Sequence, residues 1–452
     1  MTFSNSLSQA ATAADRLSVC GMLRLGLGLI VAYAATLTLQ TLFPSSAGIS
    51  LADNVLLTIS MITAEALRVL ENNLTFTKQV SRQFDDRYAV EGAKIGTVLN
   101  VRKPPRYVGR TGQALQVENA VETSVPVTLN TQFGVDLQFS SQDLALSIDD
   151  FSNRFLTPAL ATVANKIDYD GLQLYSQIYQ AVGTPGTVPA SLLVYLNSGV
   201  MLNNSAAPMD GKRSQILNPQ MEATLVNALT GLFQSASAIS EQYMKGKMGI
   251  AIGFNFYMDQ NVAVHTVGTY GGTPLVNGAS QSGNSLITDG WTVTTTTLNV
   301  GDIYTIAGVY GVNPQSRQST GALMQFVVTD VTTTDGSGNS TIAFNPAIVA
   351  SGAFQNVTNV PADNAAITVF GASTTVTPQG MAMHQDAFTL ACADLPLPNG
   401  VDMAARMSDK QLGLSIRMIR AYDIQGDMWP CRLDILYGWA VLRPELACRV
   451  AS

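Results

Sequence analysis

The chain has 452 residues, 46% of them hydrophobic and only 13% charged, with a formal net charge of −7. That length exceeds what one ordinary hydrophobic core organises, so two or three domains are expected, with Ser, Thr, Asn, Gln and Gly supplying much of the polar surface. The negative balance argues against the basic stripe of a phosphate-backbone binder, and four cysteines without CxxC or zinc spacing (Cys20, Cys392, Cys431, Cys448) argue for reduced thiols rather than a disulfide framework.

Residues 25–52 carry no charge, and Arg16 and Arg24 precede the apolar run 25–39, with Ser45-Ser46-Ala47-Gly48 downstream. Taken alone this pattern has the features of a signal peptide or membrane anchor. The rest of the chain has no second apolar span and no secreted character, so residues 1–54 are read as an atypical N-terminal extension. Thr63 then opens a short amphipathic helix over 63–70, with Ile62, Ala66 and Leu70 on one face.

After Gly92-Ala93-Lys94-Ile95-Gly96, alternation at Ile95, Thr97, Leu99 and Val101 predicts a strand that Pro104-Pro105 stops. Alternation resumes at Val125, Val127 and Leu129, so the stretch between is the far end of a long two-stranded arm. Its outgoing side carries Arg102, Lys103, Arg106 and Arg110, and its return carries Glu118 and Glu122. A projecting hairpin with both signs of charge and little apolar content does not hold itself against its own core. These six residues are therefore candidates for contact with a neighbouring subunit, against the plainer alternative of charges paired across a solvated hairpin.

Phe133, Val135, Leu137 and Phe139 alternate as a half-buried strand. Ser147-Ile148-Asp149-Asp150 is a helix start, and Phe151, Phe155, Val163, Ile167, Leu174 and Ile178 continue the helical period to Gly183. A helix of some thirty residues would span about 45 Å, with Pro158 as a kink or boundary. Residues 184–260 mix turns with a helical stretch at 220–234 and read as an α+β lobe. From 261 to 376 the only basic residue is Arg317, among Thr, Val, Gly and Asn. β-type runs at 291–300, 303–309 and 324–331 make this an inserted β-barrel or sandwich. Two alternating strands close the chain, through Leu412, Leu414, Ile416 and Met418 and through Leu433, Ile435, Tyr437, Trp439 and Val441, with a turn near Gly426. They are expected to form a sheet packed on the long helix.

The residues that carry enzyme chemistry are sparse. The two histidines, His265 and His384, fall in different predicted domains without metal or nucleophile spacing, and structural roles are expected for both. There is no phosphate loop. Asp335-x-Ser337-x-Asn339 begins like a calcium loop, but the twelfth position is Pro346 instead of Glu, so a hairpin turn is expected. The adjacent carboxylates Asp85-Asp86 and Asp149-Asp150 read as solvated pairs or helix caps. No catalytic residue, cofactor site or metal site is assigned.

The segments Met61 to Leu74, Gly92 to Gly96, Leu146 to Phe151, Ala164 to Asp168, Thr305 to Val309 and Asp434 to Trp439, in that order, resemble the major capsid (coat) proteins of short-tailed bacteriophages that carry an inserted β-domain. The resemblance covers about residues 55–452. It implies an α+β tailed-phage capsid fold with a long spine helix, an extended hairpin loop and an inserted all-β barrel. It also implies an N-terminal arm at 55–92, the hairpin at 93–130 and a peripheral domain at 131–195 with 405–452. An axial domain at 196–260 with 377–404 and the barrel at 261–376 complete the set. A structural function follows by resemblance: self-assembly as pentamers and hexamers into an icosahedral shell around double-stranded DNA held without sequence-specific binding. A scaffolding protein and a portal are implied partners, with no membrane, assembly in the host bacterial cytoplasm and a final place in the virion capsid. The rival reading is a membrane-anchored β-rich binding or adhesion protein that uses residues 25–39 as its anchor.

Overall fold

The computed structural model describes residues 66–68, 70, 73–82, 98–140, 157–229, 249–293, 296–409 and 413–452. All belong to one unit, Met61–Ser452, and the other unit, Met1–Ser60, lies outside them. The expectations for residues 1–54, for Ile62 and Thr63, for Asp85-Asp86, for residues 92–97, for the helix start at 147–155, for 230–234 and for Leu412 lie outside the described residues as well.

A five-stranded antiparallel sheet is built around one long strand, Met428–Val441. Thr131–Ser140 pairs with it over ten residues, from Met428↔Ser140 to Tyr437↔Thr131. Its other edge takes Leu414–Arg420 and then Phe388–Ala393, and Met403–Asp409 lies beyond Leu414–Arg420. Phe133, Val135, Leu137 and Phe139 do face inward, because one face of this strand is covered and the period of 2 follows. The turn near Gly426 is closed by backbone bonds between Asp423 and Met428.

The helix Thr157–Leu172 packs on this sheet and buries Leu160, Val163, Ala164 and Ile167. It is shorter at its C-terminal end than the apolar period implied. A 3-10 turn covers Gln173–Gln177, and Ala181–Gly183 is a strand in parallel register with Arg449–Ala451. The helical period at Leu174 and Ile178 is overridden by tertiary pairing, since the β-prone residues after Gln177 gain a sheet partner that a further helical turn would forgo. Gly171 sits where helix, arm and sheet meet. A Cβ there would lie 2.6 Å from the Phe76 ring and 2.7 Å from Trp439. Phe76 is fully buried, with its ring 5.5 Å from Phe388 and 5.3 Å from Trp439. Asp168 of the helix accepts from the Thr75 and Thr77 amides at 2.6 and 2.9 Å and from the Thr77 hydroxyl, so the arm is stitched to the helix.

A second sheet runs in the order Ala181–Gly183, Ala447–Ala451, Val376–His384, Arg213–Leu217, Phe254–Met258, Ile250–Ala251, with the helices Leu192–Asn204 and Pro219–Leu229 beside it. Arg213–Leu217 is buried at every position, and the Arg213 guanidinium is satisfied by the carbonyls of Ala207 and Pro208 and by Asn203. Asp259, just after this sheet, is 5% exposed, and one of its carboxylate oxygens has no partner. Burial, reinforced by the charge of Asp168, pushes its pKa up to about 6. An acid held above its unfolded value of about 3.9 costs stability as pH rises through the window from about 4 to about 6. Asp259→Asn is expected to melt a few degrees above the wild type at pH 7.5, with the gap closing as pH is lowered toward 4 in thermal scans.

Six antiparallel strands form the third sheet, in the order Ile367–Val369, Ile303–Val312, Ser319–Val328, Ser340–Ile348, Gly283–Trp291, Gly272–Val276. Its ends meet through the Leu275↔Ala366 bridge and the Val276–Ala365 and Asn364–Val276 backbone bonds, so the sheet closes on itself. Tyr304, Phe326 and Phe344 fill the interior. The run expected as one strand at 291–300 is divided: Trp291 ends Gly283–Trp291 after a bulge, and Thr296–Leu298 pairs separately with Thr332–Thr333. Asp335 closes a hairpin turn by accepting from the Ser337 and Asn339 amides at 2.8 Å each, as the sequence predicts. The chain enters and leaves this barrel side by side, because Val264–Thr266 pairs with Val376–Pro378.

Both histidines serve packing. His265 Nε2 is 2.7 Å from Asp302 and its Nδ1 is 3.2 Å from the Tyr175 hydroxyl, at the junction of the barrel with the sheet strand Ala447–Ala451. Arg449 donates to the Gly301 carbonyl there at 2.8 Å and lies over the Tyr175 ring, and burial pulls its pKa down to about 10. His384 is buried against Asp210 at 3.1 Å and accepts from the Asp386 amide. Among the described residues no cluster of His, Cys, Asp or Glu is arranged to hold a metal ion, and no helix is long and apolar enough to cross a membrane.

Candidate intersubunit arm and its footing

The arm starts from two strands, Val98–Arg102 and Ser124–Thr128, in register from Val98↔Thr128 to Arg102↔Ser124. One face of this ribbon is apolar: Val101, Val127 and Leu129 pack on Ala391 and Ala440 of the five-stranded sheet and on Leu442 just past its central strand. The approach is close enough that a Cβ on Gly438 would overlap the Thr128 carbonyl. Lys103 N donates to Thr123 O at 2.7 Å, and beyond this pair the chain makes a long exposed loop.

The six residues singled out from the sequence separate into two groups. Arg102 and Glu122 form an exposed cross-strand pair at 3.3 Å, an interaction of about 0.2–1 kcal/mol. Glu118 accepts from the amides of Val108 and Gly109 at 2.7 Å each, and Arg110 donates to the Gly112 carbonyl. Lys103 and Arg106 instead turn toward the body of the chain. Arg106 Nη2 is 3.1 Å from Glu445 Oε1, with its guanidinium 6.0 Å above Phe354. Burial pulls the Lys103 ammonium below its usual pKa, with nearby Glu445 acting in the opposite sense.

Two features of the arm escape the sequence reading. Arg317, the lone basic residue of the barrel, donates to the carbonyls of Tyr107 and Val108 at 2.5 and 3.0 Å, so the arm is fastened to the barrel as well as to Glu445. The distal loop also holds more apolar surface than its charges suggest, with Leu115 80% and Val117 81% exposed. The spacing of Leu115 and Val117 in an otherwise polar stretch was the available signal; nothing local points to Arg317 or Glu445. Arg317→Ala is expected to speed limited proteolysis within residues 107–122 on the order of five- to tenfold, from about 1 kcal/mol of lost bonding. Comparing cleavage rates with wild type at equal protease checks it.

The family described as P22 coat protein, gene protein 5, matches residues 54–449, nearly the whole of the described fold. The chain belongs to the P22 coat protein family. Its function is thus structural, as the major capsid protein of a tailed phage, and the anchored-adhesin reading is set aside. No curated protein matches the chain. Among solved structures, the P22-type chain is similar to one from Mycobacterium phage Che8, at 12% identity and a TM-score of 0.43, over 83% of this chain and 90% of that one. It is also similar to a chain of the mature capsid of bacteriophage PhiM1, at 11% identity and a TM-score of 0.37, over 79% and 82%. A third likeness is to Gordonia phage Cozz, at 10% identity and a TM-score of 0.34, over 78% and 80%.

Proposed function

We propose that this coat protein builds a closed icosahedral shell of pentamers and hexamers, and that the distal half of the arm, residues 109–122, is completed by a neighbouring copy. The observation that carries the reading is the pair Leu115 and Val117, four-fifths exposed at the end of a loop whose base is firmly seated. Apolar side chains held out on a fixed stalk gain from burial only when a second molecule covers them. Arg102, Arg110, Glu118 and Glu122 frame that surface with both signs of charge, and such a rim sets register and excludes wrong partners more than it adds affinity. Lys103 and Arg106 support the base of the stalk.

In this reading the work of the subunit is adhesion between identical copies, without a catalytic step. A scaffolding protein and a portal guide assembly in the bacterial cytoplasm, double-stranded DNA enters afterwards, and the shell expands as subunits repack as rigid bodies about the arm. A net charge of −7 keeps the enclosed genome weakly held. The bodies that move are the peripheral domain built on the five-stranded sheet, the axial domain built on the second sheet and the barrel, with Phe388–Ala393 and Ala447–Ala451 each travelling with the sheet in which it is paired. Electron microscopy of the full-length chain expressed with its scaffold is expected to show closed shells. A compact monomer at every concentration and salt would overturn the reading.

A further inference from the structure

Between the base of the arm, the barrel and the 3-10 turn Pro444–Leu446 lies a cavity of about 280 Å³ lined by Lys103, Arg106, Thr123, Phe354, Arg443 and Glu445. Its charges do not balance. Arg106 and Glu445 neutralise one another at 3.1 Å. That leaves the Lys103 ammonium and the Arg443 guanidinium on the same enclosure, and among the described residues neither has an ion-pair partner. Arg443 also lines a neighbouring cavity of about 180 Å³ with Lys103, where the one acidic residue, Asp386, stands beside His384 at 3.8 Å. Two like charges brought together and partly removed from water are costly unless an anion joins them.

We propose that this cleft is a binding site for a phosphate-class oxyanion. A tetrahedral dianion matches the two uncompensated positive charges, whereas a single carboxylate would leave one of them unpaired. Its several oxygens accept from the planar fork of Arg443, the point charge of Lys103 and the Thr123 hydroxyl together. Phe354 lines the same cleft, with the Arg106 guanidinium 6.0 Å over its ring. The site is built wholly within one chain and stands independently of how copies meet. Occupied, it would fasten the arm to the barrel and to the Pro444–Leu446 turn more firmly than the Arg106–Glu445 pair alone.

Free inorganic phosphate supplies such a dianion, whereas each diester of a DNA backbone carries a single charge and would leave one of the two cations unpaired, and two probes separate them. Full-length unassembled chain is melted in inorganic phosphate, in a short unphosphorylated DNA duplex, and in sodium chloride at matched ionic strength, which accounts for simple screening. Inorganic phosphate is expected to raise the melting temperature saturably by a few degrees beyond chloride. Lys103→Gln/Arg443→Gln, which keeps the Arg106–Glu445 pair, is expected to lose the rise, and calorimetric titration should show at least about a tenfold weaker Kd. Thr123→Val, a small change on an exposed edge, gives a second variant with an intermediate loss. A rise with the duplex and none with inorganic phosphate overturns the dianion site. No rise with either probe in the wild type, or an equal rise in the wild type and the double variant, overturns the site.

Discussion

Asp434→Ala is expected to remove about 3–5 kcal/mol of stability, enough to leave much of the chain unfolded at 37 °C. The Asp434 side chain, on the central strand of the five-stranded sheet, is fully buried and accepts two bonds from Arg417, at 3.0 and 2.7 Å, and one from Gln132 at 2.8 Å, with Arg432 ion-paired to it at 2.9 Å. Burial opposes its charge, but the bonds from Arg417 and Gln132 more than compensate and hold its carboxyl below the usual range. The alanine variant strands the guanidinium of Arg417, 13% exposed, without its counterion. Urea denaturation should show a lower midpoint at unchanged slope. Arg417→Met/Asp434→Leu, which removes both partners, should recover a good part of the loss; recovery of none of it would mean the pair is not what holds these strands. Because the folded pKa is depressed, this contribution is present above the unfolded value of about 3.9 and fades as pH falls toward the folded one, so wild type and variant should converge in acid.

The second large effect concerns assembly and leaves the fold alone. Leu115→Asp/Val117→Asp is expected to abolish shells while leaving the melting temperature of the free subunit within about a degree, because both side chains already stand in solvent. Arg102→Glu/Arg110→Glu tests the rim: it opposes Arg102 to Glu122 and reverses the charge presented to a neighbour. A loss of about 1.4 kcal/mol per contact raises the dissociation constant of that contact tenfold, and the effect is repeated at every equivalent contact of a shell. Sedimentation and electron microscopy should show free subunits for the first variant and a raised critical concentration for the second. Normal shells from Leu115→Asp/Val117→Asp would refute the proposal that the distal loop is covered by a neighbour.

What the sequence made legible is what one covered face imprints on it. Thr131–Ser140 and Met428–Val441 alternate because each has a wet side and a dry side, and the Asp335 turn announces itself through short polar residues and glycine. Elements with no such asymmetry were harder to see. Arg213–Leu217 is buried on both faces yet reads as polar, since its arginine is satisfied by carbonyls of the preceding loop. The helix Leu192–Asn204 has no charged residue to mark an outer face, although Ser191, which accepts from the Leu193 amide, was a usable start signal. The end of the longer helix was misplaced because Ala181–Gly183 is claimed by a strand from the far end of the chain. In the arm, charge singles out six candidate residues, and only tertiary structure divides them into an inward pair and an outward four.

The pairing of Thr131–Ser140 with Met428–Val441 also governs how fast this molecule is made. Gln132 meets Asp434 across 302 positions of sequence, so the central ribbon of that sheet cannot zip until nearly all of the intervening chain has been synthesised. Contacts of such long range repay their loop-closure entropy late and slow the search for the native state. The barrel eases this. Once Val264–Thr266 has joined Val376–Pro378, more than a hundred residues become a closed side branch, and the effective tether between the two distant strands shortens by that amount. A barrel that forms early would act as a kinetic staple for its host, whereas one that forms late would leave an unzipped edge open to aggregation while nascent chains accumulate.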